Sequence, residues 1–368
     1  MSVDSPLLTG VELGDLKLDN RVVMAPLTRC RANADGQPNE LMLEYYRERA
    51  KTGLIITEAT QICPGGQGYP NTPGIYNAAH EAGWRHICDA VHDAGGKIVL
   101  QLWHVGRLSH PAYQPEGGLP VAPSAIGFEG QCFLPDGSKA DYPTPRALQA
   151  DELQGLVDDY AMATHRAMAA GFDGVEVHAA NGYLLDQFLR DGTNQRKDRY
   201  GGSIENRCRL LFDVVDAVAA AAGPERTGIR LSPLQPAHGM YDHNPEKLFS
   251  HVVDGLNEFN LAYLHLAGMG EDQPDAAGPA FDLDQLARRF NNKVIRNYQF
   301  TLQRAETALA DGGADAIAFG IPMISNPDLV ERIRRDAVWN QADNRYFYQG
   351  GARGYIDYPS LSDLDNNT

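Results

Sequence analysis

The sequence is poor in cysteine, and its few cysteines are not arranged as metal ligands or as a disulfide framework. Among 368 residues there are five, an odd number, and no two stand at the C-x-x-C spacing. That spacing is typical of zinc sites and of thiol redox motifs. We therefore expect no metal centre built on them, and reduced thiols in a cytoplasmic protein.

Positive charge is also scarce. The chain has 32 Lys and Arg against 48 Asp and Glu, a formal net charge of −16. Nucleic acids and anionic membranes bind basic surfaces, so neither partner is expected. No apolar run approaches the roughly 20 residues of a membrane span. The first residues, Met-Ser-Val-Asp-Ser-Pro, lack the basic and apolar regions of a signal peptide.

Short apolar runs, by contrast, recur along the whole chain, each bounded by Gly, Pro, Asn or Asp. Nearly continuous apolar runs, rather than alternating ones, are typical of parallel strands that are covered on both faces. The eight predicted strands are Arg21–Ala25, Leu54–Glu58, Ile98–Leu102, Gly174–Val177, Gly228–Leu231, Ala262–Leu266, Lys293–Ile295 and Ala316–Phe319.

Segments with helical periodicity lie between these strands. They are Leu41–Thr52, Glu81–Ala94, Asp151–Ala170, Ile204–Ala222, Asn244–Asn257, Asp282–Arg289 and Thr301–Asp311. Eightfold alternation of strand and helix predicts an α/β fold, a single (β/α)₈ TIM barrel forming one domain over residues 1–368. The alternative is an open doubly wound sheet, which is disfavoured because no G-x-G-x-x-G follows the first strand.

Two segments fall outside the repeat. Residues 1–20 suggest a short N-terminal hairpin that covers the bottom of the barrel. Residues 104–148 form a long loop after strand 3, rich in Pro and Gly. A loop of that length is usually functional, and this one follows the carboxyl end of a strand, where TIM barrels keep their active sites.

Polar side chains stand where five of the strands end: Thr28, Glu58, Gln101, His178 with Asn181 and Tyr183, and Arg230. The set contains no nucleophile–base pair and no carboxylate dyad, which disfavours a hydrolase. Its hydrogen-bond donors outnumber its acids. Such a rim suits a large polar cofactor with carbonyl and ring-nitrogen acceptors.

His178 and Asn181 form the most specific pair on this rim. Their three-residue spacing predicts that both lie on one face of a helical turn, where two donors converge as in an oxyanion site. Structural alternatives remain open: His178 as a hydrogen-bonded core histidine, Gln101 as a satisfied barrel amide, and Arg230 in a buried ion pair with Glu176 or Glu58. Trp103 is either pocket wall or plain core.

Six stretches, in this order, resemble the old yellow enzyme family of FMN-dependent NAD(P)H oxidoreductases. The resemblance runs from about Leu16 to Tyr358 and is very specific because the order is kept. The stretches are NRVVMAPLTR (20–29), GLIITEAT (53–60), QLWHVGR (101–107), GFDGVEVHAANGYL (171–184), RYGGSIENR (199–207) and NPDLV (326–330).

The resemblance implies a role for each matching residue. Thr28 would bond near the flavin C4 carbonyl, Gln101 would hold the pyrimidine edge, and Arg230 would lie near N1 and C2=O. Pro26, Leu27 and Ala59 would contact the ring through backbone. His178 and Asn181 would hold the substrate oxygen, and Tyr183 would donate a proton. Trp103, Tyr69 and Tyr355 are candidates for the pocket wall, with plain packing as the rival for the two tyrosines.

The implied activity is ene reduction. NAD(P)H, with NADPH favoured over NADH, would reduce tightly bound FMN, which would pass hydride to the Cβ of an enone or nitroalkene. Phenols would bind as ligands, and the protein would be a monomer or homodimer. Two alternatives stay open: non-redox isomerisation of an alkene at the same site, and a barrel without FMN that acts as a binding module.

The phosphate end departs from the family pattern. Many members carry a Gly-rich turn after strand 7 and a Phe-Gly-Arg after strand 8. This chain has Val294-Ile-Arg-Asn-Tyr-Gln-Phe300, without glycine, and Phe319-Gly320-Ile321. Either backbone N–H groups around Asn297 and Gly320 hold the phosphate, with charge from Arg296, or FMN affinity is reduced. Loss of an Arg–phosphate contact removes hydrogen bonds worth about 1.5–3 kcal/mol each.

Overall fold

The computed structural model describes residues 5–268 and 281–365. Its centre is a closed barrel of eight parallel strands, in which each strand pairs with the next and the last pairs with the first. The barrel strands are β1 (Val22–Met24), β2 (Leu54–Ile56), β3 (Ile98–Trp103), β4 (Gly174–Ala179), β5 (Thr227–Leu231), β6 (Tyr263–Ala267), β7 (Lys293–Asn297) and β8 (Ala316–Phe319).

Helices surround the barrel. The described helices are α1 (Glu40–Arg47), α2 (Ala78–Asp93), α3 (Glu152–Ala170), α4 (Leu184–Leu189), α5 (Ile204–Ala222), α6 (Pro245–Leu256), α7 (Leu283–Arg288), α8 (Leu302–Ala310), α9 (Ile321–Ser325), α10 (Leu329–Arg335) and α11 (Leu361–Asp365). The TIM-barrel prediction is therefore confirmed. An open sheet is excluded because β8 pairs with β1 and β4 pairs with both β3 and β5, so that none of the eight strands is an edge strand.

Burial explains why the strands appear in the sequence as apolar runs. Every residue of β1–β6 and β8 is buried, because one face of each strand lines the barrel and the other packs under helices. The predicted boundaries shift by one or two residues at most strand ends. The shift that matters for the site is at β4, which continues to Ala179 and so carries His178 on the strand itself.

The bottom of the barrel is covered as predicted. Strands Val11–Leu13 and Leu16–Leu18 form an antiparallel hairpin. Its leucines pack into one buried cluster with side chains of the lower barrel, including Val23, Ile56 and Ile295. The backbone N–H of Asp15 donates to the Glu225 carbonyl, just before β5. The amino-terminal mouth is thus closed, and any ligand reaches the barrel from the other end.

The long segment after β3 has structure of its own. It holds two 3-10 turns, Pro111–Tyr113 and Pro115–Gly117, and an antiparallel hairpin of Gln131–Phe133 with Lys139–Asp141. Strand Val121–Ala122 pairs with Arg146–Ala147 and returns the chain to α3. Tyr142, just after the hairpin, packs with the aromatic residues at the carboxyl rim of the barrel. The segment therefore forms one side of that rim.

Candidate active site

Strand register brings the predicted site residues together at the carboxyl rim. His178 of β4 lies directly beside Arg230 of β5, and Arg230 beside His265 of β6. One level lower, Gln101 of β3 pairs in register with Glu176 of β4. In a parallel barrel, residues at matching positions face the interior in one layer. The polar residues at these strand ends therefore form a continuous patch.

His178 is held as a neutral imidazole. Its side chain is 4% exposed, and its Nδ1 has no hydrogen-bond partner among the described residues. Burial, with the nearby Arg230 charge, holds the pKa of His178 well below its usual value of about 6.5. A neutral ring has one N–H donor. His178 can thus donate one hydrogen bond at neutral pH without bringing a charge into the site.

Asn181 lies three residues after His178, on a backbone conformation different from the one predicted. Residues 180–183 form a turn and not a helical turn, because Asn181 has φ +58° and Gly182 has φ +80°. Asn is among the few residues that tolerate this left-handed region. Its N–H donates to Ser232 Oγ (2.7 Å) and its carbonyl accepts from His238 Nδ1 (2.7 Å). The turn is fixed through the backbone, which leaves the side-chain amide available to a ligand.

Aromatic rings enclose the space beside His178. The Tyr183 ring makes edge contacts with His178 and with Trp103, both with centroids 5.0 Å apart. Tyr69 stacks on Trp103 at 5.7 Å, and its hydroxyl lies 3.2 Å from that of Tyr183. Burial raises the pKa of Tyr183, so its phenol stays protonated at neutral pH. Three predicted residues, Trp103, Tyr183 and Tyr69, thus adjoin one another.

Tyr355 does not belong to this group. It is fully buried and stacks on Tyr45 of α1 with centroids 4.0 Å apart, and the guanidinium of Arg29 lies 5.1 Å from its ring. These are contacts of packing, so its assignment to the pocket wall is corrected. Tyr348, seven residues earlier, is 64% exposed and close enough to raise the pKa of Tyr183. Tyr348, and not Tyr355, stands near the rim from this segment.

Gln101 and Arg230 are joined through two residues that the sequence interpretation did not select for the site. Gln101 Nε2 donates to Glu176 (2.7 Å), Glu176 contacts His265 Nδ1 (2.9 Å), and Arg230 donates to His265 Nε2 (2.7 Å). Arg230 therefore has no direct ion pair with Glu176 or Glu58. A histidine inside an apolar strand was the one available signal for His265.

The segment after β1 forms the opposite side of the rim. Pro26, Leu27 and Thr28 are half-buried, whereas Ala59, after β2, is buried. A methyl group on Gly320 would lie 3.5 Å from the Leu27 side chain, so the chain after β8 adjoins the chain after β1. The residues predicted to contact a flavin ring through backbone thus border the same opening as Gln101 and Arg230.

At the predicted phosphate end, the polar side chains of Asn297 and Arg296 are already engaged within the protein. Both polar atoms of the Asn297 side chain are engaged, with Arg230 Nη2 (2.9 Å) and the Ala318 carbonyl (2.7 Å). Arg296 is ion-paired with Asp284 of α7, so its charge is already compensated. Ile321 is 58% exposed and begins α9, with Gly320 as the preceding residue.

The turn after β7 contains no glycine, although its backbone adopts φ angles that glycine favours. Tyr298 and Gln299 both have positive φ, +117° and +48°. Glycine adopts this region at little cost, whereas other residues pay about 1–3 kcal/mol. The backbone therefore follows the course of a Gly-rich turn, and Tyr298 and Gln299 are strained as a result.

The rim fits a flavin by its chemistry. Arg230 Nε is buried and has no hydrogen-bond partner within residues 5–268 and 281–365. A buried donor left unpaired costs about 1–3 kcal/mol, so a ligand acceptor is expected at that atom. Across the same described ranges, no group of three or more His, Cys, Asp or Glu could hold a metal ion. Hydrogen-bond donors and aromatic rings surround the carboxyl end of this barrel. The arrangement places the protein in the class of TIM barrels that bind an organic cofactor at that end.

Comparison with known proteins identifies the family. The sequence matches the NADH:flavin oxidoreductase / NADH oxidase family over residues 6–340, and the chain belongs to it. It is 44% identical over 360 residues to a probable flavin mononucleotide-dependent alkene reductase of Leishmania infantum, covering 96% of this chain and 97% of the relative. It is 40% identical over 375 residues to 12-oxophytodienoate reductase 7 of Oryza sativa subsp. japonica, covering 97% and 95%.

Solved structures agree. Morphinone reductase in complex with tetrahydroNAD superposes with a TM-score of 0.90 at 50% identity, covering 96% of this chain and 97% of that chain. An old yellow enzyme homologue from Zymomonas mobilis gives 0.93 at 43% identity, covering 96% and 99%. The resemblance to the old yellow enzyme family is confirmed, as is the prediction of an FMN-dependent NAD(P)H oxidoreductase of the ene-reductase type. Among the described helices, none is long and apolar enough to cross a membrane.

Proposed function

We propose that this ene-reductase acts on α,β-unsaturated carbonyl compounds and nitroalkenes, held at His178 and Asn181. The observation that carries the proposal is a neutral buried imidazole beside the Tyr183 phenol, followed three residues later by an asparagine on a turn fixed through its backbone. When an alkene conjugated to an oxygen accepts hydride, negative charge develops on that oxygen. Two preorganised donors stabilise this charge as it forms, worth about 3 kcal/mol for each donor.

Tyr183 is the proposed proton donor to the carbon that is left electron-rich. Its phenol is protonated at neutral pH, and its hydroxyl is oriented by the hydrogen bond with Tyr69. Trp103 supports the ring of Tyr183 from the side. Tyr69 and Trp103 therefore act as pocket wall that also positions the acid.

FMN would be held by Thr28, Gln101 and Arg230 through side chains, and by Pro26, Leu27 and Ala59 through backbone. Its phosphate would be held by backbone N–H groups around Asn297, Gly320 and Ile321. When bound, FMN would supply the hydride-transfer chemistry between NAD(P)H, with NADPH favoured, and the alkene. Arg230 contributes the positive charge on that side of the barrel.

We also propose phenols as ligands of the same pocket, because a phenolate oxygen presents to His178 and Asn181 the charge that the reaction develops. The protein would act in the cytoplasm as a monomer or homodimer. The proposals on phenol ligands, cellular location and oligomeric state rest on the sequence and on the family resemblance.

The test is a pair of spectra. Purified protein loaded with FMN should be yellow, lose its visible absorbance on anaerobic addition of NADPH, and regain it when 2-cyclohexenone is added. Titration of the oxidised protein with a phenol should give a long-wavelength band. If the protein binds FMN and NADPH bleaches it, but neither an enone nor a nitroalkene restores the colour, the proposed substrate class is wrong.

A further inference from the structure

Glu176 and His265 form a buried chain that ends on both residues predicted to hold the flavin pyrimidine. Glu176 is 0% exposed and accepts from Gln101 Nε2 on one oxygen (2.7 Å) and contacts His265 Nδ1 with the other (2.9 Å). His265, also 0% exposed, lies 2.7 Å from Arg230 through its Nε2. One carboxylate thus orients the amide on β3 and, through an imidazole, the guanidinium on β5.

The proton positions in this chain follow from its end groups. A guanidinium is always a donor, so His265 Nε2 must accept from Arg230. The carboxylate accepts, so Nδ1 carries the proton. Burial, together with the Arg230 charge, lowers the pKa of His265 to about 4, which keeps the ring neutral. Although burial alone would raise it, the pKa of Glu176 is lowered, chiefly by His265 and then by Arg230. The chain therefore holds one negative and one positive charge, separated by a neutral ring.

The neutral ring of His265 affects how much of the Arg230 charge and which of its N–H groups remain available to a ligand. In a direct ion pair, the carboxylate would occupy guanidinium N–H groups and cancel most of the charge. Here Arg230 uses Nη1 on His265 and Nη2 on Asn297 (2.9 Å), and its Nε has no partner within the described ranges. The side chain is held in place by these two contacts, and its Nε is left to pair with a ligand acceptor.

We propose that Glu176 and His265 are positioning residues that fix Gln101 and Arg230 against the bound flavin and set its reduction potential. The proposal rests on the proposed function, because it requires FMN at this rim. The negative charge of Glu176 opposes the addition of electrons to the flavin, and the His265 spacer limits that opposition. Neither residue touches substrate, so each acts through its neighbours.

The experiment measures the midpoint potential and the dissociation constant of FMN in the Glu176→Gln holoenzyme. This variant keeps shape and removes one negative charge, so the midpoint potential should become more positive than in the wild type. His265→Gln breaks the bridge to Arg230. It should weaken FMN binding on the order of tenfold, the equivalent of about one charge-assisted hydrogen bond. It also serves as the test if Glu176→Gln does not fold.

Asp242→Asn is the matched control. Asp242 is likewise a buried carboxylate, 1% exposed, but it pairs with Arg207 of α5 (3.0 Å). This variant should lower thermal stability without moving the potential, which separates a merely structural role from the proposed one. Unchanged potential in Glu176→Gln, together with unchanged FMN affinity in His265→Gln, overturns the proposal. If wild-type protein binds no FMN, it is the proposed function that fails.

Discussion

At the scale of single residues, the protonation state of His178 decides how the site works. Because its pKa is held well below its usual value, the ring stays neutral over the range in which enzymes are normally assayed. A charged imidazolium would bind an anionic ligand more tightly before reaction. A neutral donor instead gains most as negative charge develops, which favours the transition state over the ground state.

The variant His178→Ala tests the proposed role of His178 as a hydrogen-bond donor to the substrate oxygen. We expect kcat/KM for 2-cyclohexenone to fall on the order of 10²–10³-fold, the cost of one lost oxyanion donor. Phenol binding should weaken as well, because the same N–H is missing. FMN should stay bound, since Gln101 and Arg230 are held by other contacts. Steady-state kinetics and the visible spectrum measure both outcomes, and a variant that purifies without flavin would contradict the placement of His178.

Tyr183→Phe separates the two half-reactions. Phenylalanine keeps the ring contacts with Trp103 and His178 but removes the hydroxyl that contacts Tyr69. We expect the reoxidation by an enone to slow on the order of 10²–10⁴-fold, the usual contribution of a general acid. Bleaching by NADPH should keep its rate. Stopped-flow absorbance measures both steps. Tyr69→Phe keeps the acid and removes only the hydroxyl that orients it, so it should slow reoxidation less than Tyr183→Phe does. Equal slowing of the two steps in Tyr183→Phe would rule out a proton-donor role.

Some residues of the site could be predicted from the sequence, and others could not. Gln101 and Arg230 lie near the carboxyl ends of predicted strands, and His178 and Asn181 follow one. Their meeting at one rim could therefore be predicted from the fold alone. Tyr355 could not be placed, because which aromatic of the terminal segment turns inward depends on its contact with Tyr45 of α1. His265 required the register of β6 against β5, which no property of the isolated segment reveals.

At the scale of elements, the strained turn after β7 offers a stability prediction. Tyr298→Gly should relieve the cost of φ +117°, about 1–3 kcal/mol, against an entropic cost of roughly 0.5–1 kcal/mol for glycine. We expect the free energy of unfolding to rise by about 1 kcal/mol, measured by urea denaturation of the apo-protein. Ala at the same position is the control, since it removes the ring but keeps the strain. Equal effects of Gly and Ala would show that loss of the ring, and not relief of the φ strain, changes the free energy of unfolding.

Elements differ in how far the sequence predicts them. Long amphipathic helices such as α5 are predicted to the residue, whereas α4, six residues and wholly buried, has no periodic pattern and was missed. The first helix was predicted to reach Thr52 but ends at Arg47. Beyond that point Arg49 is buried and donates to the carbonyls of Met323 and Ile324. A tertiary contact thus replaces the last helical turn.

At the scale of the whole molecule, the two ends of the barrel have different tasks. The amino-terminal end is filled by the hairpin leucines and carries stability. The carboxyl end keeps buried polar atoms, including Arg230 Nε, without partners in the described part of the chain. A fold that leaves donors unpaired at one end is less stable than it could be, and a ligand that pairs them should stabilise the whole barrel.

Removal of the flavin should therefore lower thermal stability without unfolding the barrel. At free FMN of 100 times its Kd, binding adds about 2.7 kcal/mol, so we expect Tm to rise by several degrees and to depend on FMN concentration. Riboflavin, which lacks the phosphate, isolates the contribution of the turn at Asn297 and Gly320. At the same free concentration we expect a smaller rise with riboflavin, because it lacks the phosphate that we propose the backbone N–H groups bind. Equal shifts at equal free concentrations of the two ligands would mean that FMN stabilises the fold through its ring alone.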